Sequence, residues 1–336
     1  MKKKLIFYFC LVILMNACQS ESYNKIITVN GVISPDQMGF TLPHEHVLVD
    51  FIGADSAEPP RYTREAALKV ILPRIRNLQS FGVKTFVECT PRFLGRDPLL
   101  LKQLADSTGI RFLTNTGYYG AQKNKFIPDS IQKMTPEKIA SFWISESENG
   151  IAGTGIKPGF IKIAVERSDL SEFHARLARA AAIAHKATGL TIMSHTGPSP
   201  GAFQQLDILK EEGVAPEAFI WTHAHNEKDS MKHVQAAKMG AWVAFDAFWG
   251  SQGQLPRFVH LVIHMKNNQC LHRLLLSQDA GWYDPDKPDG ANYHPHTLIF
   301  EQLIPALKEA GITEQELQQI FVENPAKAFT VRERIL

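Results

Sequence analysis

The sequence is poor in several things, and each shortage excludes a class of protein. Only four of its 336 residues are cysteine, too few for a disulfide-stapled scaffold. The longest apolar run, Leu5 to Met15, has eleven residues, short of the roughly 20 a membrane-spanning helix needs. No low-complexity stretch and no Pro/Gly/Ser-rich linker divides the body. No charge of one sign dominates either: 36 Lys and Arg face 34 Asp and Glu. What remains is 44% hydrophobic and 21% charged, an ordinary globular balance that excludes disorder and a multi-span membrane protein.

The first residues read as a leader. Met1-Lys2-Lys3-Lys4 is a basic start, the apolar run follows, and Asn16-Ala17 ends it just before Cys18. Leu14-Met15-Asn16-Ala17-Cys18 resembles a bacterial lipobox, with Met15 where the pattern prefers Leu. The resemblance implies a signal peptide over 1–17, cleavage before Cys18 and lipidation of Cys18. Residues 18–25 then form a tether, and the product is an exported lipoprotein on a membrane face, towards the periplasm or cell exterior. Losing the leader removes three lysines and no acid, turning the net charge of +2 into about −1. No basic stripe for nucleic acid is left.

From residue 26 to 336 a short β-branched run followed by an amphipathic helix recurs. Eight runs are predicted as strands: 39–46, 83–89, 110–116, 159–165, 189–195, 218–223, 241–246 and 273–279. Several are apolar on both faces, as covered parallel strands are. Helices are expected over 63–80, 97–108, 171–187, 203–212 and 229–239, and Thr313-Glu314-Gln315-Glu316 opens the last as a capping box. Eight repeats predict an α/β chain: a single-domain (β/α)8 TIM barrel, preceded by a small N-terminal strand pair over 25–34. Cys89 and Cys270 then lie at opposite barrel ends, so two buried free thiols are expected.

Polar residues gather at the C-terminal ends of these strands. His44 and His46 flank Glu45, and strand alternation points both imidazoles the same way. Two imidazoles make poor core packing but half of a metal site. His195, His223 and Asp279 end the fifth, sixth and eighth strands, and Lys162 stands between Ile161 and Ile163 in the fourth. Each alone has an ordinary explanation: a satisfied core histidine, an ion-paired lysine, a helix-capping aspartate. Six together on the face where barrel active sites collect point to a metal centre.

The segments TLPHEHVLVD (41–50), GIKPGFIKIAVE with its helix (155–187), TIMSHTG (191–197), WTHAHNEKD (221–229), LLLSQDAGW (274–282) and VENPAKAF (322–329) resemble the phosphotriesterase family of the amidohydrolase superfamily. The resemblance implies two divalent metal ions per chain. One would take His44, His46 and Asp279, the other His195 and His223. Lys162, carbamylated by carbon dioxide to N6-carboxylysine, would bridge them. Zinc suits neutral imidazoles and a carbamate, and manganese, cobalt or iron would also fit. A metal-bridging hydroxide would be the nucleophile and Asp279 the proton acceptor. The reaction implied is hydrolysis of an ester-like bond in a small molecule: a lactone, a carboxylic ester or a phosphotriester.

Around this site, Tyr118 and Tyr119 after the third strand, and Trp249, Trp282 and Tyr283 after the seventh and eighth, are candidates for the pocket wall. His225 repeats the spacing of His44 and His46 and stands second to His223. His294 and His296 are expected at the surface or a helix start. Arg92 and Arg96 are candidates for a polar substrate group. Two other readings compete: a barrel metallonuclease or phosphodiesterase, which predicts an acid in place of Lys162, and a non-catalytic lipid-tethered binding protein, which predicts a broken ligand set. The membrane is expected as a partner only through the lipid, and a homodimer is left open.

Overall fold

The computed structural model describes residues 24–58, 60–290 and 293–336. The expected leader, Cys18 and the tether up to residue 23 lie outside the described residues. Among the described residues, no helix is long and apolar enough to cross a membrane.

The chain folds as a single (β/α)8 barrel. Its strands are β1 Thr41–Glu45, β2 Thr85–Glu88, β3 Arg111–Leu113 continued by Asn115–Thr116, β4 Phe160–Ala164, β5 Ile192–His195, β6 Phe219–Thr222, β7 Trp242–Phe245 and β8 Leu274–Leu276. Neighbours pair in parallel, with Lys162 opposite Met193 and His195 opposite Thr222. The ring closes where Asp279 N–H donates to His44 O at 3.1 Å and His46 N–H donates to Ala280 O at 2.9 Å. A two-stranded antiparallel pair, Ile26–Thr28 with Gly31–Ile33, precedes the barrel as expected. Each barrel strand is shorter than its predicted run, and β6 and β8 stop short of the polar residues His223 and Asp279. His223 (φ 58°) and Asp279 (φ 51°) are left-handed, a conformation that ends a strand.

Strand alternation sorts the core into two. Ile161, Ile163, Ile192, Trp221, Val243 and Leu276 face outward onto the helices. Val87, Phe160, Met193, Ile220, Trp242 and Leu275 face inward and fill the barrel floor, closed from below by Met38 and Phe329. Lys162, His195 and Asp246 share the parity of Phe160, Met193 and Trp242, so they continue the inward rows at the open end. Fully burying an aliphatic or aromatic side chain stabilises by roughly 1.5–3 kcal/mol. The apolar floor therefore offsets strained or polar groups at the top, which cost of order 1–3 kcal/mol each.

Two glycines let backbones approach the site. A Cβ on Gly117 would lie 1.8 Å from Lys162 O, and one on Gly281 1.8 Å from His46 O. Helices over Arg64–Asn77, Pro98–Thr108, Glu172–Thr188 and Ser230–Met239 match the expected ones within a few residues, and Thr313 with Glu316 forms the expected capping box. The helix expected at 203–212 begins earlier, at Ser199, because Pro200 fits the first helical turn. Cys89 and Cys270 are buried free thiols.

Candidate active site

At the C-terminal mouth of the barrel, β1 delivers His44 and, just beyond its end, His46, their ring centroids 5.4 Å apart. Each imidazole is held by Nδ1. His44 Nδ1–H donates to Asp246 Oδ2 at 2.7 Å, and His46 Nδ1–H to Thr90 Oγ1 at 2.7 Å. His223 donates to Asp246 Oδ1 twice, from Nδ1 and from its backbone N–H, each at 2.9 Å. These bonds select the tautomer whose Nε2 carries a free lone pair.

The Nε2 atoms then converge on Asp279. Its Oδ1 lies 3.0 Å from His46 Nε2 and 3.7 Å from His44 Nε2, and its Oδ2 lies 3.9 Å from His223 Nε2. Lys162 Nζ, 1% exposed, donates to His44 Nε2 at 3.3 Å. The His195 ring stands edge-on to His223, centroids 4.5 Å apart, with the Tyr119 hydroxyl 3.2 Å from its Nδ1. All six residues expected at the site are thus brought to one place.

Burial sets the charges. It pushes His44 down to about 3, His46 below its ordinary value and His195 well below it, so these imidazoles are neutral donors. Asp279 presents both carboxylate oxygens to the His44, His46 and His223 rings. Neutral imidazole nitrogens around an ionised carboxylate are what a divalent cation of the zinc type requires. His44, His46 and Asp279 form one group with metal-binding spacing, and His44, His223 and Asp246 another. In the second group both Asp246 oxygens already accept from ring Nδ1 atoms, so Asp246 orients two imidazoles rather than offering a free donor.

Asp246 is the main residue that the sequence reading missed, although it ends the run AWVAFD with inward parity. Asp246→Asn is expected to weaken zinc binding about 10–100-fold, the usual cost of losing such an orienting partner. Competition against a chromogenic chelator measures this, and an unchanged affinity would show that the two rings are fixed without it.

Glu45, the middle residue of the first motif, points the other way. It accepts from Ser277 Oγ, Gln278 N–H and Ala280 N–H at 2.7, 3.0 and 2.8 Å and seals the β1–β8 seam. Burial pushes its carboxyl up to about 8.

Above the site is a cavity of 690 Å³, lined by Tyr119, Trp249 and Trp282 among others. Trp249 Nε1–H donates to Asp279 O at 3.2 Å. Tyr118 and Tyr283 do not line it. Adjacent strand-end residues face opposite sides, so Tyr118 turns into the core against Trp143, centroids 5.4 Å apart, while Tyr283 is buried over Gly290. Arg92 pairs with Glu58 and Arg96 with Glu146, both turned into a separate crevice and away from this cavity. His296 is not at the surface: it is 2% exposed and its Nε2–H donates to His46 O at 3.1 Å. His294 stacks on Trp249, centroids 5.9 Å apart. His225 is buried, lines the cavity, and its Nδ1 has no hydrogen-bond partner.

The chain is similar to known hydrolases over most of its length. The model of the phosphotriesterase family matches residues 24–329. An aryldialkylphosphatase from Saccharolobus solfataricus is 30% identical over 309 residues, covering 89% of this chain and 97% of its own. An N-acetyltaurine hydrolase from Xenopus tropicalis is 26% identical, covering 93% and 100%. Among solved structures, a multiply substituted PTE-like lactonase from Deinococcus radiodurans superposes with a TM-score of 0.80 at 30% identity, covering 90% of this chain and 99% of its own. With the family model matched along nearly all of the barrel, this chain belongs to the phosphotriesterase family and is a hydrolase with metal-binding groups at its barrel mouth.

Proposed function

We propose that the protein holds two divalent ions, most suitably zinc, and hydrolyses an ester-like bond. The observation that carries this is the convergence of the His44, His46 and His223 Nε2 atoms on Asp279, with the Lys162 amine beside His44. His44, His46 and Asp279 would hold one ion, His195 and His223 the other, and Lys162 as N6-carboxylysine would be shared between them. When bound, the ions polarise the scissile bond and lower the pKa of water towards neutrality.

The chain's own residues do the rest. Asp279 accepts a proton at Oδ1 or Oδ2. Asp246 and Thr90 keep three imidazoles in the metal-binding tautomer. Trp249, Trp282 and Phe51 wall the cavity with apolar surface and exclude water from the reacting bond. Loops after the strands set specificity on this fold. The relatives are named for organophosphate, lactone and N-acetyl hydrolysis, so the reading spans a lactone, a carboxylic ester and a phosphotriester, with an N-acetyl amide as a further arm of the test. Zinc-loaded protein is expected to contain about two ions per chain and to turn over at least one of the three ester-like types, whereas turnover of the amide alone would replace ester with amide hydrolysis. No turnover of any, at full metal content, would sink the reading.

The lipobox-like segment supports a second part of the proposal, that the enzyme is exported and lipid-anchored through Cys18. Labelled fatty acid should enter the wild-type chain and not Cys18→Ala; equal labelling would refute the anchor.

A further inference from the structure

The cavity has two unlike sides. Phe51 after β1, Leu94 after β2, Tyr119 after β3 and Trp282 after β8 form an apolar wall, extended by Trp249, whose ring meets that of Trp282 at 5.8 Å. The side built by β4, β6 and β7 carries cations instead: Arg167, Lys228 and Arg257. Asp279, at the floor, is the only acid among the lining residues. Among the described residues, none of the three cations is paired with a carboxylate.

The acids nearest in sequence are turned elsewhere. Glu166 accepts from Lys123 N–H at 2.6 Å, and Glu227 accepts from Ser199 N–H at 2.8 Å and from Lys228 and Asp229 N–H at 2.7 and 2.8 Å. Arg257 is aimed by its donations to His225 O and Glu227 O, at 2.5 and 3.1 Å. It stands in the first turns of the helix Gln254–Asn267, whose N-terminal dipole adds positive potential. His225, 8% exposed, lines the same side but turns its Nδ1 inward, 3.7 Å from Asp246 Oδ1. Three unneutralised cations opposite an aromatic wall are a recognition surface for an amphiphilic anion.

We propose that the substrate carries a fixed anionic group, a carboxylate or sulfonate, that is not part of the scissile bond. Arg167, Lys228 and Arg257 attract this group while the apolar remainder lies under Trp249 and Trp282. This rests on the hydrolase reading and names the substrate class of the same site.

The test uses three para-nitrophenyl esters with one leaving group: the glutarate monoester (anionic), its methyl ester (neutral) and trimethylammoniobutanoate (cationic). At low salt, kcat/KM for the anion is expected to exceed that of the neutral ester about tenfold, three exposed charges acting together, with the cation poorest. The preference should shrink as salt is added. In the triple variant Arg167→Gln/Lys228→Gln/Arg257→Gln the preference should vanish while the neutral ester keeps its rate. Because Arg257 also braces a loop, the double variant Arg167→Gln/Lys228→Gln provides the check in which no observed side-chain hydrogen bond is lost, and it should lose part of the preference. Equal rates for the three esters, or a preference that survives the triple variant, overturns the proposal.

If no ester is cleaved, the hydrolase reading is what fails for these esters, and calorimetric titration with glutarate against glutaramide decides the inference. Tighter glutarate binding that is lost in the variants upholds it. Equal binding, or glutarate binding that the variants leave intact and that therefore belongs to the metal floor, overturns it.

Discussion

Lys162→Ala is expected to strip the metal centre and abolish turnover, with part of the activity returning when formate, acetate or propionate is added. Lys162 is 1% exposed in the middle of β4, and its amine reaches His44 Nε2 at 3.3 Å. Its neighbours Ile161 and Ile163 face the helices, so no adjacent residue can take its place. If Lys162 is shared by two ions as proposed, its removal forfeits several kcal/mol of charge stabilisation, roughly a thousandfold or more in rate. The truncation also leaves a void, and large-to-alanine changes in a core cost about 2–5 kcal/mol. A lower Tm alone therefore decides nothing. Rescue does: a small carboxylate can enter the void and stand where the proposed carbamate would stand, and the rescue should saturate with concentration and fall off with acid size. Two ions per chain and full activity in the untreated variant would remove Lys162 from the site.

Asp279→Asn should reduce kcat/KM by roughly 10²–10⁴-fold, the range of a lost proton acceptor, while the fold stays intact. The substitution is nearly isosteric. Asn is also among the few residues that tolerate the left-handed φ of 51° found here, so the backbone should not move. What changes is charge. The carboxylate 3.0 Å from His46 Nε2 becomes an amide, and its NH2 can donate to the lone pair intended for a metal. Circular dichroism and Tm near wild type, with metal content and rate both down, is the expected pattern. Full turnover would assign proton transfer to another group.

Much of the site was legible because strand alternation is local. The motif His44-Glu45-His46 announces two parallel imidazoles at a strand end, and Lys162 between Ile161 and Ile163 announces a polar group facing into the barrel. The same parity rule, applied to AWVAFD, would also have found Asp246. The pocket wall was harder to read. Of the neighbours Tyr118 and Tyr119, one turns into the core and the other meets His195. His296, expected at the surface or a helix start, stands just before the helix that opens at Leu298 but is buried under His46, because the loop after β8 folds back into the mouth. The cationic side of the cavity was not legible, since Arg167 and Lys228 come from two loops and Arg257 from a helix, after three different strands.

Period-two alternation, eight apolar runs and the residue types at their ends were enough, from sequence alone, to say that this is a parallel barrel with imidazoles, an amine and a carboxylate facing inward. Which nitrogen of each ring is free, and which oxygens steady it, was decided only by closure of the barrel. The His44–Asp246 bond spans 202 residues and exists because β1 and β7 are brought round to one mouth. Side-chain facing is a property of a few adjacent dihedrals, whereas convergence is a property of the closed ring of hydrogen bonds.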